Sequence, residues 1–427
     1  MRVKRWGVLC IIGTFLISAG ITAAAGVEVF AQIERSIVQF IGHITGYLPT
    51  GLMNWAGLIF ILLGVWLFAF GFRRMLSSLI ESAAPGVAPR LADVVYERRY
   101  LQRGPRIVVI GGGTGLATML RGLKEYTSNL TAIVAVSDDG GSSGRLRDDL
   151  GMPPPGDIRN TLLALADVEP LMEELFNHRF GGGKGLAGHS FGNLLIAAMT
   201  EVTGDFETAV RASSRVLAIR GQVLPGTVES VALRAEFTDG TQIVGESSIP
   251  LQGKRVRRVS LIPPDAKPPE EALRAIAEAD LIVIGPGSLY TSVLPNLLIR
   301  EIADAIRRSP APAVYVCNVM TQPGETTDYT VADHVQALID HTGPNLFTYV
   351  LMNDAPVPPE QLKRYEREGA TVVKPDPEAV LRLGLTPVCY PLISDTDLVR
   401  HDSKRLAEAV LNILETDLSA RSVSNGL

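Results

Sequence analysis

Two uncharged apolar runs dominate the first hundred positions of this 427-residue chain. Gly7–Val27 and Leu52–Phe72 each reach the roughly 20 residues that an α-helix needs to cross a bilayer. The second carries Trp55, Phe60, Trp66, Phe68 and Phe70. The first alone has the make-up of a signal peptide, with Arg2, Lys4 and Arg5 before it and Ala23-Ala24-Ala25 near its end. A second full-length run predicts instead a two-helix transmembrane hairpin over residues 1–81. Basic residues flank its outer ends: the N-terminal three, then Arg73 and Arg74, with Arg90, Arg98 and Arg99 close behind. The connecting segment has only Arg35. This asymmetry places both termini and the main domain on the cytoplasmic side. Residues 82–103, with Pro85 and Pro89, have the character of a linker.

The pattern changes near Pro105. Short β-type runs (Arg106–Ile110, Ala132–Val136, Leu281–Ile284, Ala313–Cys317, Leu346–Leu351) alternate with helix-spaced ones (Ala117–Lys124, Leu297–Arg307, Val331–Asp340, Ser403–Leu414). Val- and Ile-rich strands separated by helices predict an α/β domain, a mostly parallel sheet with helices on both faces. Val231–Phe237 and Thr241–Glu246 flank Thr238-Asp239-Gly240 and predict a β-hairpin. The domain is expected over 104–417, with a frayed tail over 418–427.

Composition narrows the function. Hydrophobic residues make up 46% of the chain, and the excess lies in the apolar runs. A formal net charge of -5 gives no basic field for nucleic acid. Cys10, Cys317 and Cys389 show neither a disulfide framework nor metal-ligand spacing, which fits a reducing cytoplasm.

The candidate chemistry sits where strands end. Val108–Leu116 closes an apolar strand with Gly111, Gly112, Gly113, Thr114 and Gly115, a turn that lets backbone approach a phosphate. It is no P-loop, because no Gly-Lys-Ser/Thr follows. The third glycine of a dinucleotide fingerprint would fall at Leu116 or Thr118, which weighs against an NAD(P) enzyme. In the next strand-end loop, Asp138 and Asp139 can hold a ribose diol or Mg²⁺, Ser142 and Ser143 can donate to phosphate, and Arg145 can neutralise it; the alternative is a solvated turn. Pro153–Asn160 adds Asp157, placed as an N-cap, with Arg159 and Asn160 as ligand contacts. In Gly188–Asn193, His189 is either an acid/base or phosphate contact or a cap for the following helix, which Asn193 begins. After Leu281–Ile284 come Gly285, Gly287, Ser288, Tyr290 and Thr291, Tyr290 being either a stacking ring or a core residue. Asn318 and Gln322 end another strand. Arg400 can clamp a diphosphate or pair with Asp402. No serine sits in a nucleophile elbow. Together these loops suit a nucleotide diphosphate better than a metal site or a triad.

GGGTGL, SDDGGSSGRLRDDL, PPPGDIRN, GHSFGNL, GPGSLYTSVLPNLL, CNVMTQPGET and RHD, in that order and spacing over residues 104–415, resemble the YvcK-like gluconeogenesis factors. These belong to the superfamily of the 2-phospho-L-lactate transferases of deazaflavin cofactor biosynthesis. The hairpin lies outside the resemblance. The resemblance implies a Rossmann-like α/β fold, binding of a UDP-sugar (UDP-N-acetylglucosamine above all), and regulation linking carbon metabolism to cell-envelope synthesis and cell shape. It makes Tyr290 a base or sugar contact and Arg400 a diphosphate contact. In the transferase branch, the loop matching Asp138 and Asp139 would serve Mg²⁺ and the diphosphate of the donor. Expected partners are the membrane, cell-envelope synthesis proteins and a second copy of the chain, with no nucleic acid. The alternative expectation is a Mg²⁺-dependent transferase.

Overall fold

The fold is described from a computed structural model. The structure describes residues 2–24, 28–45, 52–83, 100–167, 170–394 and 399–425. It forms two units, Met1–Arg98 and Arg99–Leu427.

The first unit contains α1 (Arg2–Ala24), α2 (Glu28–Thr45) and α3 (Leu52–Ala83). Lys4–Thr22 and Gly57–Ser78 are long and apolar enough to cross a membrane. α1 and α3 pack antiparallel, so closely that only hydrogen fits at their glycines. A Cβ on Gly13 would stand 2.7 Å from the Phe68 nitrogen, and one on Gly20 would stand 2.6 Å from the Gly57 carbonyl. Small residues let backbones approach in this way, which raises dispersion between helices that lipid would otherwise solvate equally well. The segment expected as a simple connection is the helix α2. The linker lies outside the described residues, apart from the end of α3 and a helical turn at 100–102.

In the second unit, seven strands form one parallel sheet: β1 (Ile107–Gly111), β2 (Leu130–Val134), β3 (Gln222–Pro225), β7 (Leu281–Ile284), β8 (Ala313–Val316), β9 (Tyr349–Asn353) and β10 (Thr386–Tyr390). Their order is β10-β9-β8-β7-β1-β2-β3. β1, β2, β7 and β8 are buried at every position, which is why they read as unbroken Val/Ile runs rather than alternating ones. The chain starts at β1, moves outward through β2 to β3, then returns to β7 on the other side of β1. The excursion between contains β4 (Ala232–Phe237), β5 (Gln242–Val244) and β6 (Val256–Ile262), an antiparallel sheet of order β5-β4-β6. Its hairpin turn is the expected one, with the Asp239 carboxylate accepting from the Thr241 backbone nitrogen at 2.9 Å.

The Rossmann-like α/β class holds, while several boundaries move. β3, β6 and β10 were not expected: β3 begins with Gln222 and ends at Pro225, and β10 begins Thr386-Pro387, so neither carries an apolar run. The first helix of the domain, Gly113–Leu123, begins on the glycines themselves. The expected strand Leu346–Leu351 lies three residues later, at β9. Residues assigned to a frayed tail continue the helix Ser403–Asn425.

The hairpin packing is directly testable. The Cys10 sulfur lies 3.9 Å from the Phe68 carbonyl, so the Phe68→Cys variant is expected to form an intramolecular disulfide between positions 10 and 68 on mild oxidation. Adding Gly64→Leu should abolish it, because the new side chain forces the helices apart. Undiminished cross-linking in the double variant would contradict the close approach.

Candidate functional site

β1 and β7 are neighbours whose following connections depart in opposite directions. In an open α/β sheet this switch point is where a crevice opens beyond the carboxyl ends of the strands. Two glycine loops meet there. Gly113 has φ +64°, open to glycine without cost. A Cβ on Gly115 would stand 2.5 Å from the Pro286 carbonyl of the other loop. Buried amides hold the loops in place. Asn296 donates to the carbonyls of Gly111 at 2.9 Å and Ser292 at 3.2 Å. Asn318 donates to the Gly287 carbonyl at 2.8 Å and accepts from its nitrogen at 3.2 Å. Gln322 donates to the Ser288 hydroxyl at 2.6 Å.

Between the loops lies a cavity of about 300 Å³, lined by Gly112–Gly115, Thr118, Gly287, Ser288, Ser292, Asn318–Gln322, Tyr365 and Val399–His401. The N-terminus of the helix Gly113–Leu123 opens into it; Asp157 takes the Gly113 N–H, and the remaining N–H groups of the first turn suit an anion. Arg400 is exposed on the facing wall and makes no ion pair among the described residues. The expected partner is engaged elsewhere: Asp402 accepts from the Arg405 nitrogen at 2.8 Å, capping the last helix. His401 is bonded to the Cys317 carbonyl at 3.2 Å, and burial pushes its pKa down to about 4, so it lines the cavity as a neutral ring. The Tyr365 hydroxyl donates to the Val399 carbonyl at 3.4 Å.

Of the residues expected to bind, Gly112, Gly113, Thr114, Gly115, Gly287, Ser288, Asn318, Gln322 and Arg400 meet here. Others form two sets behind the glycine loop. The first is acidic. Asp157 is not an N-cap; it accepts from the Gly113 nitrogen, and burial raises its pKa to about 6 with help from Asp138. A Cβ on Gly112 would stand 2.5 Å from its Oδ2. Glu246 is pushed up to about 8, first by burial and then by Asp138, Glu325, Asp157 and Asp139. Burial raises Glu325 to about 7. Asp138 accepts from the Gly140 nitrogen at 2.8 Å, and Asp139 accepts from the Ser247 nitrogen at 2.9 Å. Among the described residues, no group of three or more His, Cys, Asp or Glu is arranged to hold a metal ion.

The second set is basic and hydroxylic. Ser142 bonds His189 Nδ1 at 3.0 Å, and Asn193 donates to Ser142 and Ser143 at 3.1 and 3.4 Å. His189 does not cap the helix Phe191–Thr203; Ser190 does. Arg145 donates to the Ala187 carbonyl and Arg159 to the Asn160 side chain. Three expected contacts belong to the core instead. Tyr290 is 1% exposed and shares a 2.8 Å bond with the Tyr329 hydroxyl. Thr291 is spent on Glu325 at 3.2 Å. Gly285 lies beneath the loop, facing the Val316 carbonyl. The ring that reaches the cavity is Tyr365. It sits in the charged stretch Lys363–Glu368, with no glycine motif to announce it. Glu246 was also missed, because it closes a hairpin whose sequence signals only a turn.

The family profile of the 2-phospho-L-lactate transferase CofD matches residues 107–393. The chain belongs to this family. Within it, the gluconeogenesis factor of Bacillus subtilis is 52% identical over 312 residues, 73% of this chain and 98% of its own. A Nostoc sp. protein given the same name provisionally is 48% identical over 414 residues, 96% of this chain and 90% of its own. The latter alignment is longer than Arg99–Leu427 could supply, so part of the N-terminal unit has a counterpart in the Nostoc family member. A crystal structure of a Bacillus halodurans protein, 51% identical, superposes with a TM-score of 0.71 and covers 72% of this chain and 100% of that one.

The acidic set makes stability depend on pH in a defined direction. Glu246, Glu325 and Asp157 hold protons in the folded chain above their unfolded range. Between about 4.5 and about 8 the folded state therefore binds more protons than the unfolded state, and stability falls as pH rises. Thermal melting from acid to mildly alkaline pH is expected to show this decline, and Glu246→Gln to flatten it. Parallel profiles for the two proteins would contradict the assignment to Glu246.

Proposed function

We propose that this family member is a membrane-tethered, cytoplasmic nucleotide-sugar-binding regulator whose ligand is a UDP-sugar, with UDP-N-acetylglucosamine as the first candidate. The observation that carries the reading is the crevice at the switch point. It combines a helix N-terminus, two facing glycine loops and an arginine without an ion-pair partner among the described residues, the donor set that a diphosphate needs. Tyr365 stands at its rim as a flat surface for a base or sugar. The volume, about 300 Å³, is at the small end of the range for ligand pockets. A regulatory role joining carbon metabolism to envelope synthesis follows the name its relatives carry and the resemblance of its motifs. The hairpin would hold the domain at the membrane with both termini in the cytoplasm, where envelope-synthesis proteins or a second copy are the candidate partners.

The acidic set supports a second reading, the Mg²⁺-dependent transferase. Several carboxylates behind a diphosphate site repel the ligand unless a cation intervenes. A Mg²⁺ held by Asp138 and Asp157, with the remaining positions filled by phosphate oxygens and water, would suit its habit of keeping few protein ligands. It would neutralise the leaving diphosphate.

Calorimetry with UDP-N-acetylglucosamine, UDP-glucose and GTP, with and without Mg²⁺, separates the readings. Saturable UDP-sugar binding with the ligand recovered intact supports the regulator. Strict preference for GTP with Mg²⁺, and turnover with a deazaflavin acceptor, supports the transferase. Under the first reading, Arg400→Ala and Tyr365→Ala are each expected to weaken binding tenfold or more, about 1.4 kcal/mol. Tyr290→Phe should leave affinity unchanged and cost stability of about 1 kcal/mol through the lost hydroxyl bond. Wild-type affinity in both the Arg400 and Tyr365 variants would sink the site assignment. For the tether, a reporter fused after Tyr100 is expected to report a cytoplasmic position, and an extracytoplasmic signal would overturn the topology.

A further inference from the structure

α2 has one apolar side and one polar side. At about 100° per residue, Val29, Ile33, Ile37, Phe40 and Ile44 fall within an arc of about 80°. Two more apolar residues widen it. Glu28, Gln32, Arg35, Gln39 and His43 occupy the opposite side. Within its unit the apolar side is not covered where it is described: Ile37 is 39% and Phe40 is 68% exposed. Eighteen residues make a helix of about 27 Å, long enough to lie along a surface. With two acids, an arginine and several amides it is too polar to be a third span, and it is not among the helices that qualify as one.

Its neighbours constrain where it sits. α1 and α3 are antiparallel, so the end of the first and the start of the second lie at the same end of the hairpin. Three residues separate α1 from α2, and six separate α2 from α3. Such connectors reach no more than about 3.5 Å per residue. If α1 and α3 cross a bilayer, α2 is confined to its surface on the side away from the N-terminus. Its apolar side is then continuous with the side chains of the spans that face outward, such as Phe15 at 72% and Trp55 at 69% exposure.

We propose that α2 is an interfacial helix. It lies in the plane of the membrane with its apolar side at the boundary between headgroups and acyl chains of the extracytoplasmic leaflet. The inference rests on the hairpin topology above and not on the ligand. The occupant of the apolar side is lipid, because the spans on both flanks already stand in it. The polar side carries both signs of charge, so binding draws on apolar burial and on the two tethers rather than on anionic lipid.

The test uses the full chain with Cys10, Cys317 and Cys389 replaced by serine, reconstituted in phosphatidylcholine nanodiscs at one chain per disc. Spin labels at Ile37→Cys and Phe40→Cys report the apolar side, Gln32→Cys and Gln39→Cys the polar side, and Phe15→Cys a span. Expected is a several-fold higher ratio of oxygen to nickel-reagent collisions at 37 and 40 than at 32 and 39, unchanged when phosphatidylserine is added. Lipid exposure at 15 with water at 37 and 40 overturns this proposal alone. Water at 15 as well overturns the hairpin topology with it. Protection at 37 and 40 that appears only with two chains per disc would identify a second copy as the occupant and reject lipid.

Discussion

The backbone-to-backbone contact of two glycine loops at the switch point is the constraint on which the rest of the site depends. Gly115 approaches Pro286 so closely that any side chain would separate the loops. The parallel pairing of β1 with β7 brings them together, and that pairing exists only because the chain leaves the sheet after β3 and returns to its middle. The buried amides of Asn296 and Asn318 then fix carbonyls and nitrogens that would otherwise be unsatisfied beneath a polar crevice. The N–H groups around the cavity are thus oriented before any ligand arrives, which lowers the ordering cost of binding.

Groups of opposite character sit on the two sides of this loop. Arg400 lies on the cavity wall with no ion pair among the described residues, while Asp157, Glu246 and Glu325 are buried behind the glycines with raised pKa values, which favour their protonated forms. Burial is the largest cause for each, and mutual repulsion adds to it for Asp157 and Glu246. Buried carboxylates that cost stability are retained where they serve a site, and they cluster at places that handle protons or cations. Glu246 reaches this position through the small antiparallel sheet, whose short turn Glu246–Ser248 is docked by Asp139. The insertion between β3 and β7 is therefore part of the site rather than an appendage to the fold.

The N-terminal unit follows different physics. Two helices that cross a bilayer would gain no hydrophobic driving force from one another in lipid, and here close glycine packing supplies the contact. Part of it corresponds to sequence in the Nostoc family member, whose match is longer than the second unit.

The sequence by itself determined the class of the fold and the positions of the loops that carry chemistry. Short Val/Ile runs bounded by turn residues are the mark of strands buried on both faces, and glycines at their ends mark turns that expose backbone. Which of those loops would share one cavity was decided by tertiary structure alone. The strand order 7-1-2 put the β1 and β7 loops together and left Ser142, Arg145 and His189 in a separate polar network. Tyr290 illustrates the limit: it sits in the right motif, yet its ring points into the core against Tyr329. Tyr365 lies in a stretch without a local signature, and only the packing of distant segments brings it to the crevice and Glu246 to the acidic set behind it. Local pattern reports what a residue's backbone does; the direction of its side chain and the company it keeps depend on contacts far away in sequence.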